Sequence, residues 1–248
     1  MARLAQFDRK KIVDRPGVVG IDEAGRGSLC GPVIAAAVIL HQDFYTDTKT
    51  LKRVRHANDS KKLSAVKRQE LRQVLTELEG EGKIKTAWAA GSVLEIAAHN
   101  ILGATRLAMS RCLSQLAQGD LKESFAHAGT EGTLFGHQPD RHFLVLVDGL
   151  PLKPFVWQHE AIKGGDGRSL AIALASIIAK VERDRLLVEL DQTYPEYGFA
   201  HHKGYGTPEH VAALRRLGPS PVHRHLFVQS ILAGDAPPRD EQADLPFN

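Results

Sequence analysis

Two apolar runs rich in Val and Ile, residues 18–22 and 32–40, are separated only by the glycine-bearing stretch EAGRGSLCG (23–31). A parallel connection needs a dozen or more residues, usually with a helix inside it. The spacing therefore predicts an antiparallel strand pair joined by a tight, exposed turn. That pairing excludes an all-parallel sheet and places the end of the first strand, Asp22-Glu23, beside a turn bearing Gly25, Arg26 and Gly27.

Downstream, helices and strands alternate. Residues 64–79 carry Leu71, Val74, Leu75 and Leu78 at helical spacing and predict an amphipathic helix. Residues 85–90 read as a third strand, and Ser92 with Glu95 has the spacing of a capping box opening a helix to about Leu116, weakened by Asn100 and Gly103. FLVLV (143–147) is unbroken in its apolarity, as in a strand buried on both faces. Residues 169–190 predict a long helix whose alanines permit close packing on a sheet. The expected architecture is α/β: a mixed β-sheet flanked by helices over residues 1–192, with 118–141 as an exposed insertion. A small, mostly helical C-terminal extension follows over 193–232, then a flexible tail over 233–248.

With 248 residues, 43% hydrophobic, the chain can bury one substantial core. It has no apolar run of membrane-spanning length and no apolar segment of the signal-peptide kind near the N-terminus, so a cytoplasmic, non-membrane protein is expected. Cys30 and Cys112 are too few for a disulfide framework or a four-cysteine zinc site. A net charge of +3 hardly selects a partner, and the Lys/Arg-rich stretch 49–72 reads first as a solvated helix face.

Four acids fall at strand or helix ends beside glycines: Asp22 and Glu23, Asp148 after FLVLV, and Asp166 in GGDG. Each alone reads as a turn residue. Brought together, they would repel unless a cation compensated, and an all-oxygen set selects Mg²⁺ or Mn²⁺ over zinc. Paired ions of this kind activate a water and stabilise a leaving oxygen in phosphoryl transfer, which points to phosphodiester hydrolysis. Adjacent residues of a regular strand face opposite ways, so the strand is expected to stop at Asp22 for both acids to serve one site. Whether Glu23 would ligate through its side chain or its backbone carbonyl stays open. Gly25, Arg26 and Gly27 are candidates to hold a phosphate.

Other motifs compete. Gly25 to Gly31 lacks the glycine spacing of a dinucleotide site, a strand follows it, and no P-loop is present. The pairs His201-His202 and His223/His225 raise metal-free RNA cleavage to a cyclic phosphate, but packing is the commoner role of such histidines. Tyr205, between Gly204 and Gly206, is either a packing residue or an exposed ring able to stack on a nucleotide and contact a 2′-OH.

Several ordered stretches together resemble the type 2 ribonucleases H, ribonuclease HII. They are GIDEAGRG (20–27), GPVIAAAVIL (31–40), NDSKKLS (58–64), EIAAHNILGATRLAM (95–109), LVDG (146–149), KGGDGRSLAIALASIIAKVERDR (163–185) and YPEYGFAHHKGYGTPEHVAALRRLGPSPVHR (194–224). The resemblance implies a ribonuclease H-like fold and metal-dependent cleavage of RNA in RNA/DNA hybrids. It also implies cleavage 5′ of single ribonucleotides in duplex DNA, by two Mg²⁺ or Mn²⁺ ions, leaving 5′-phosphate and 3′-OH ends. It puts the acidic positions on Asp22, Glu23, Asp148 and Asp166, with Asp184 the competing fourth acid. The phosphate clamp falls on Gly25, Arg26 and Gly27, a further phosphate contact on Lys61, and the ribonucleotide sensor on Tyr205. Ser28 and Cys30 stand where proline and alanine are expected. A monomer acting on hybrid and ribonucleotide-containing duplex is implied, and the alternative is a non-catalytic hybrid-binding module of the same fold. The C-terminal DLPFN shows no clear clamp-binding pattern.

Overall fold

The structure is a computed structural model that describes residues 2–127 and 141–233. The tail beyond 233 and most of the expected insertion lie outside the described residues. In chain order the elements are α1 (Ala2–Lys11), β1 (Gly17–Ala24), β2 (Val33–His41), α2 (Thr48–Arg53), α3 (Ala65–Gly80), β3 (Lys85–Gly91) and α4 (Val93–Leu116). After these come β4 (Leu144–Asp148), β5 (Glu160–Ile162), α5 (Leu170–Thr193), α6 (Phe199–His202), α7 (Pro208–Leu217) and α8 (His225–Leu232).

The sheet runs β3-β2-β1-β4-β5. β1 pairs antiparallel with β2, and β2 with β3, whereas β1 and β4 are parallel, as are β4 and β5. The short 23–31 connection thus makes the expected hairpin, and the sheet is mixed. One face packs on α1, α3 and α5 through Val18, Val38, Leu146, Leu75 and Ile177. The other packs on α4 through Val19, Ile21, Val145, Val147 and Met109. The α3 stripe is buried at Leu71, Leu75 and Leu78, with Val74 packed at its margin.

Alternation divides β1 cleanly: positions 18 and 24 belong to the α5 side, 19 and 21 to the α4 side. Gly20 is where α5 comes closest, since a Cβ there would lie 2.1 Å from the carbonyl carbon of Ala171. The N-terminus of α5 is further fixed by the buried carboxylate of Asp8, which accepts from Ala171 N at 3.0 Å and from Tyr45 Oη at 2.8 Å.

Three departures from expectation have local causes. β1 continues through Glu23 to Ala24, in register with Ala35 and Ile34 of β2, so the strand does not stop at Asp22. Within the described part of the 118–141 segment, Phe125 is buried against Phe143 and Trp157 and anchors a stretch whose other residues are exposed or half-buried. α4 breaks at Asn100 (φ 56°, ψ 177°), whose Oδ1 accepts from Leu102 N and Gly103 N and restarts the helix.

The C-terminal extension is fused to the sheet domain. Its core of Tyr197, Phe199, Leu214, Val228 and Ile231 also takes in Leu29 and Cys30 from the β1–β2 turn and Leu187 from α5. Substituting Gly20→Val would drive α5 off β1, because the obstructing atoms are backbone. We expect a loss of about 3 kcal/mol or more, read as a lowered midpoint in urea denaturation.

Candidate active site

β1 and β4 run parallel with Ile21 opposite Val147, so the next step of the register sets Asp22 beside Asp148. Both belong to the α5-facing series of their strands, and neighbouring parallel strands lie about 4.8 Å apart. Asp166 reaches the same place from the turn Gly165–Gly167 that leads into α5. That turn is tied to β4 by Gly165 N, which donates to Asp148 Oδ1 at 2.6 Å.

Electrostatics show how close the acids are. Burial pushes the Asp22 carboxyl well above the usual range, and the charges of Asp148, Glu23 and Asp166 push it further. Burial raises Asp148 as well, partly offset by the Gly165 N–H. Asp166 is pushed up to about 6 by burial, by Asp148 and by Asp59. Asp59, which caps the turn Ser60–Lys62, is an acid that the sequence did not single out. Burial also raises Glu23, against the pull of Arg26 and Lys61. Asp22, Glu23, Asp148 and Asp166 are thus each destabilised as an anion by burial and by a neighbouring carboxylate. A hard divalent cation is the compensation that this donor set fits.

Because β1 continues through it, Glu23 lies on the opposite side of the strand from Asp22, and its N–H donates to Asp22 Oδ1 at 2.7 Å. Its own Oε1 accepts from Arg26 Nη1 at 3.1 Å. Of the two glycines in the turn, Gly25 alone takes a left-handed φ, +93°. A side chain there would also strike Arg183, whose Nε lies 1.8 Å from the Cβ position. Lys61 is exposed, and its charge acts on both Glu23 and Asp148, which brings it to the cluster. Asp184 is engaged elsewhere, with Lys180 Nζ at 2.8 Å and Arg68 Nη2 at 3.7 Å, while its neighbours Arg183 and Arg185 take other partners. Much of the basic stretch is likewise paired, Arg53 with Glu77 and Glu81, Lys67 with Glu70, and Arg72 with Glu182.

Tyr205 is half-buried, with the Arg183 guanidinium 5.2 Å and Lys180 Nζ 5.5 Å from its ring centre. A histidine chain anchors its backbone. Ser220 N–H donates to His223 Nδ1 at 2.9 Å, which leaves the proton of His223 on Nε2. That proton faces His210 Nε2 at 3.0 Å, and His210 Nδ1–H donates to the Tyr205 carbonyl at 2.9 Å. Burial pushes both histidines down to about 4, so the chain is neutral. Cys30 Sγ lies within 4.8 Å of the facing histidine nitrogens, but its thiol is pushed up to about 12 and the nitrogens hold each other. His202 stacks on His210 with ring centres 4.2 Å apart. His202, His210 and His223 are therefore internal hydrogen-bonding groups of the extension, as their packing reading anticipates, and His201 and His225 are exposed.

Arg183 and Arg224 were missed in the sequence. Both are buried, at 0% and 2% exposure. Arg183 donates to Lys203 O and Ser28 Oγ, and Arg224 to Arg26 O and Gly31 O. The only signal for Arg183 was the unused helical position beneath an otherwise apolar face.

Comparison with known proteins identifies the family and the fold. The family model described as Ribonuclease HII matches residues 19–124 and 151–230. A Ribonuclease HII of Syntrophotalea carbinolica is 43% identical over 210 residues, covering 85% of this chain and 84% of that protein. Among solved structures, the ribonuclease HII of the Archaeoglobus fulgidus complex with PCNA superposes with a TM-score of 0.59 at 21% identity, over 86% of this chain and 95% of that one. Bst-RNase HIII in complex with Mn²⁺ gives a TM-score of 0.58 at 15% identity, over 88% of this chain and 69% of that one. At these identities the structures speak for the fold, a ribonuclease H fold, and the sequence matches speak for the family. The chain belongs to the ribonuclease HII family of hydrolytic nucleases.

Proposed function

We propose that this ribonuclease hydrolyses the RNA strand of RNA/DNA hybrids and cuts 5′ of single ribonucleotides in duplex DNA, leaving 5′-phosphate and 3′-OH ends. The observation that carries the reading is the convergence of Asp22, Asp148 and Asp166 at the end of β1 and β4, with Glu23, on the other side of its strand, close enough for its charge to raise Asp22 and Asp148. These residues would hold two Mg²⁺ or Mn²⁺ ions, and the Mn²⁺ of Bst-RNase HIII supports that class of ion. Such ions supply a water of lowered pKa and neutralise charge on the leaving oxygen. A pure binding module would gain nothing from acids aimed at a polyanion, which disfavours the non-catalytic alternative.

The chain's own groups have distinct tasks. Gly25, Arg26 and Gly27 form the turn that would receive the phosphate, and Arg26 also restrains Glu23. Lys61 adds positive charge beside the acids and would contact the backbone. Tyr205 would stack against the sugar or base at the ribonucleotide and contact its 2′-OH. We read the chain as a monomer working in the cytoplasm; among the described residues no helix is long and apolar enough to cross a membrane.

Incubating a DNA duplex carrying one ribonucleotide with Mg²⁺, Mn²⁺ or EDTA tests the chemistry. Cleavage with either ion and none in EDTA, with 5′-phosphate ends, is expected; a cyclic phosphate formed in EDTA would overturn it. Asp148→Asn keeps an oxygen to accept from Gly165 N–H, so it should fold while activity falls at least about a hundredfold. Near-parental rates would remove Asp148 from the chemistry. Tyr205→Ala should lower cleavage at a single ribonucleotide by about tenfold, from the ~1–3 kcal/mol of a lost stack, and by less on uniform hybrid.

The raised carboxyls also give a pH signature. Asp22, Asp148 and Asp166 bind protons more tightly folded than unfolded, so their contribution to metal-free stability is fullest below about pH 4. It is lost as pH rises past about 6, the value for Asp166. Divalent ions relieve that loss. Added Mg²⁺ should therefore raise the melting temperature little at pH 5 and clearly at pH 8, where about 2.7 kcal/mol is expected at a hundred times its Kd. Calorimetry at both pH values measures it, and an equal increment would count against binding at this cluster.

A further inference from the structure

Arg183 and Arg224 are fully buried, yet among the described residues neither makes an ion pair. Buried charges are normally paired, because an isolated one carries a large desolvation cost. Here the partners are neutral oxygens. Arg183 gives Nη1 to Lys203 O at 2.9 Å and Nη2 to Ser28 Oγ at 2.6 Å. Arg224 gives Nε to Gly31 O at 2.9 Å and Nη1 to Arg26 O at 2.8 Å. Among the described residues, Arg183 Nε and Arg224 Nη2 have no hydrogen-bond partner. Burial lowers Arg183, and Arg224 is pushed down to about 9 by burial and then by Arg183.

The location of this charge is what gives it meaning. Arg183 fills the space under Gly25, and Arg224 holds the carbonyl of Arg26, so both lie against the inner side of the turn Gly25–Gly27. Arg183 additionally lies by the Tyr205 ring. The nearest acids in sequence form their ion pairs with other cations, Asp184 with Lys180 and Arg68, and Glu182 with Arg72 and Arg185. Asp184 gives Arg183 only a through-space attraction that comes last among the influences on it.

We propose that Arg183 and Arg224 are positioning residues whose missing counter-charge is a backbone phosphate of the bound nucleic acid. Arg224 holds the turn 25–27 from inside by the Arg26 carbonyl, Arg183 packs beneath Gly25, and both supply through-space positive charge to the anion received on its outer side. This rests on the reading of Gly25, Arg26 and Gly27 as the phosphate turn. It assigns the binding of that phosphate to a second layer of cations that no substrate atom touches.

The test is equilibrium binding of an RNA/DNA hybrid, in the Asp148→Asn background so that substrate is not consumed, as a function of salt. Four neutral variants are compared: Arg183→Met, Arg183→Gln, Arg224→Met and Arg224→Gln. The expected result is that a folded neutral variant melts at or above the temperature of its parent, while hybrid affinity falls about tenfold. The slope of log affinity against log salt should become shallower by up to about one. The corresponding lysine variants should restore the slope, since they keep charge without the fork of donors.

A structural role predicts the opposite pairing: reduced melting temperature with an unchanged salt slope, and that result would overturn the proposal. So would failure of all four neutral variants to fold, because the guanidiniums would then be required by the fold itself. Arg26→Gln is the control for the underlying reading. If it alters neither affinity nor slope, the phosphate turn is misassigned. If it alters both while the buried arginines do not, only the second-layer inference fails.

Discussion

Everything at this site depends on how closely α5 lies along β1. The two elements touch at Gly20 against Ala171 and again at Gly25 against Arg183. Five strand residues span about 16 Å and twelve helical residues about 18 Å, so helix and strand keep nearly the same pace between those contacts. Any side chain at Gly20 would have to lift the helix from its own sheet. Lifting it would move the turn that carries Asp166 away from Asp148 and withdraw Arg183 from beneath the phosphate turn. One helix thereby sets the spacing of the acids and the height of the turn beside them.

Along the few residues from Asp22 to Gly27 the polarity of the interior reverses. The α5 side of the strand end carries buried carboxylates that repel one another, and the turn just after it is backed by buried guanidiniums that also repel. The two groups are not joined by ion pairs, although Arg26 and Lys61 reach part of the way toward the acids. An assembly that paired them internally would be more stable and less useful, because each half would then have to be freed before meeting cation or phosphate. Separation keeps both fields available. On the proposed reading, a phosphodiester and divalent cations would satisfy both at once.

How much of this was legible in the sequence follows from the range of the signal. Asp22, Asp148 and Asp166 could be found because each sits at the end of an apolar run or beside glycine, a local pattern. The hairpin could be found because the loop was too short for anything else. β1 was read two residues short, since alternation was taken as a reason for the strand to end at Asp22; in fact Glu23 faces away and is held by Arg26. Asp59, Arg183 and Arg224 were invisible for a different reason. A buried arginine whose partners are backbone oxygens has the same letter as a surface one, and its acceptors lie up to 198 positions away in the chain. The His210–His223 pair and the buried Asp8 were hidden in the same way, by partners that only the fold brings near.

The extension shows why histidines can be so numerous near a nuclease site without taking part in proton transfer. A general base must exchange its proton with the substrate, whereas the ring nitrogens of His210 and His223 are committed to each other, to Ser220 and to the Tyr205 carbonyl. Their common effect is to fix the backbone of Tyr205 while Arg183 and Lys180 fix its ring. If Tyr205 discriminates one hydroxyl group, as proposed, that double restraint serves the task. An aromatic ring free to tilt would follow whichever sugar was presented, and the energetic difference between ribose and deoxyribose would be averaged away before it reached the carboxylates.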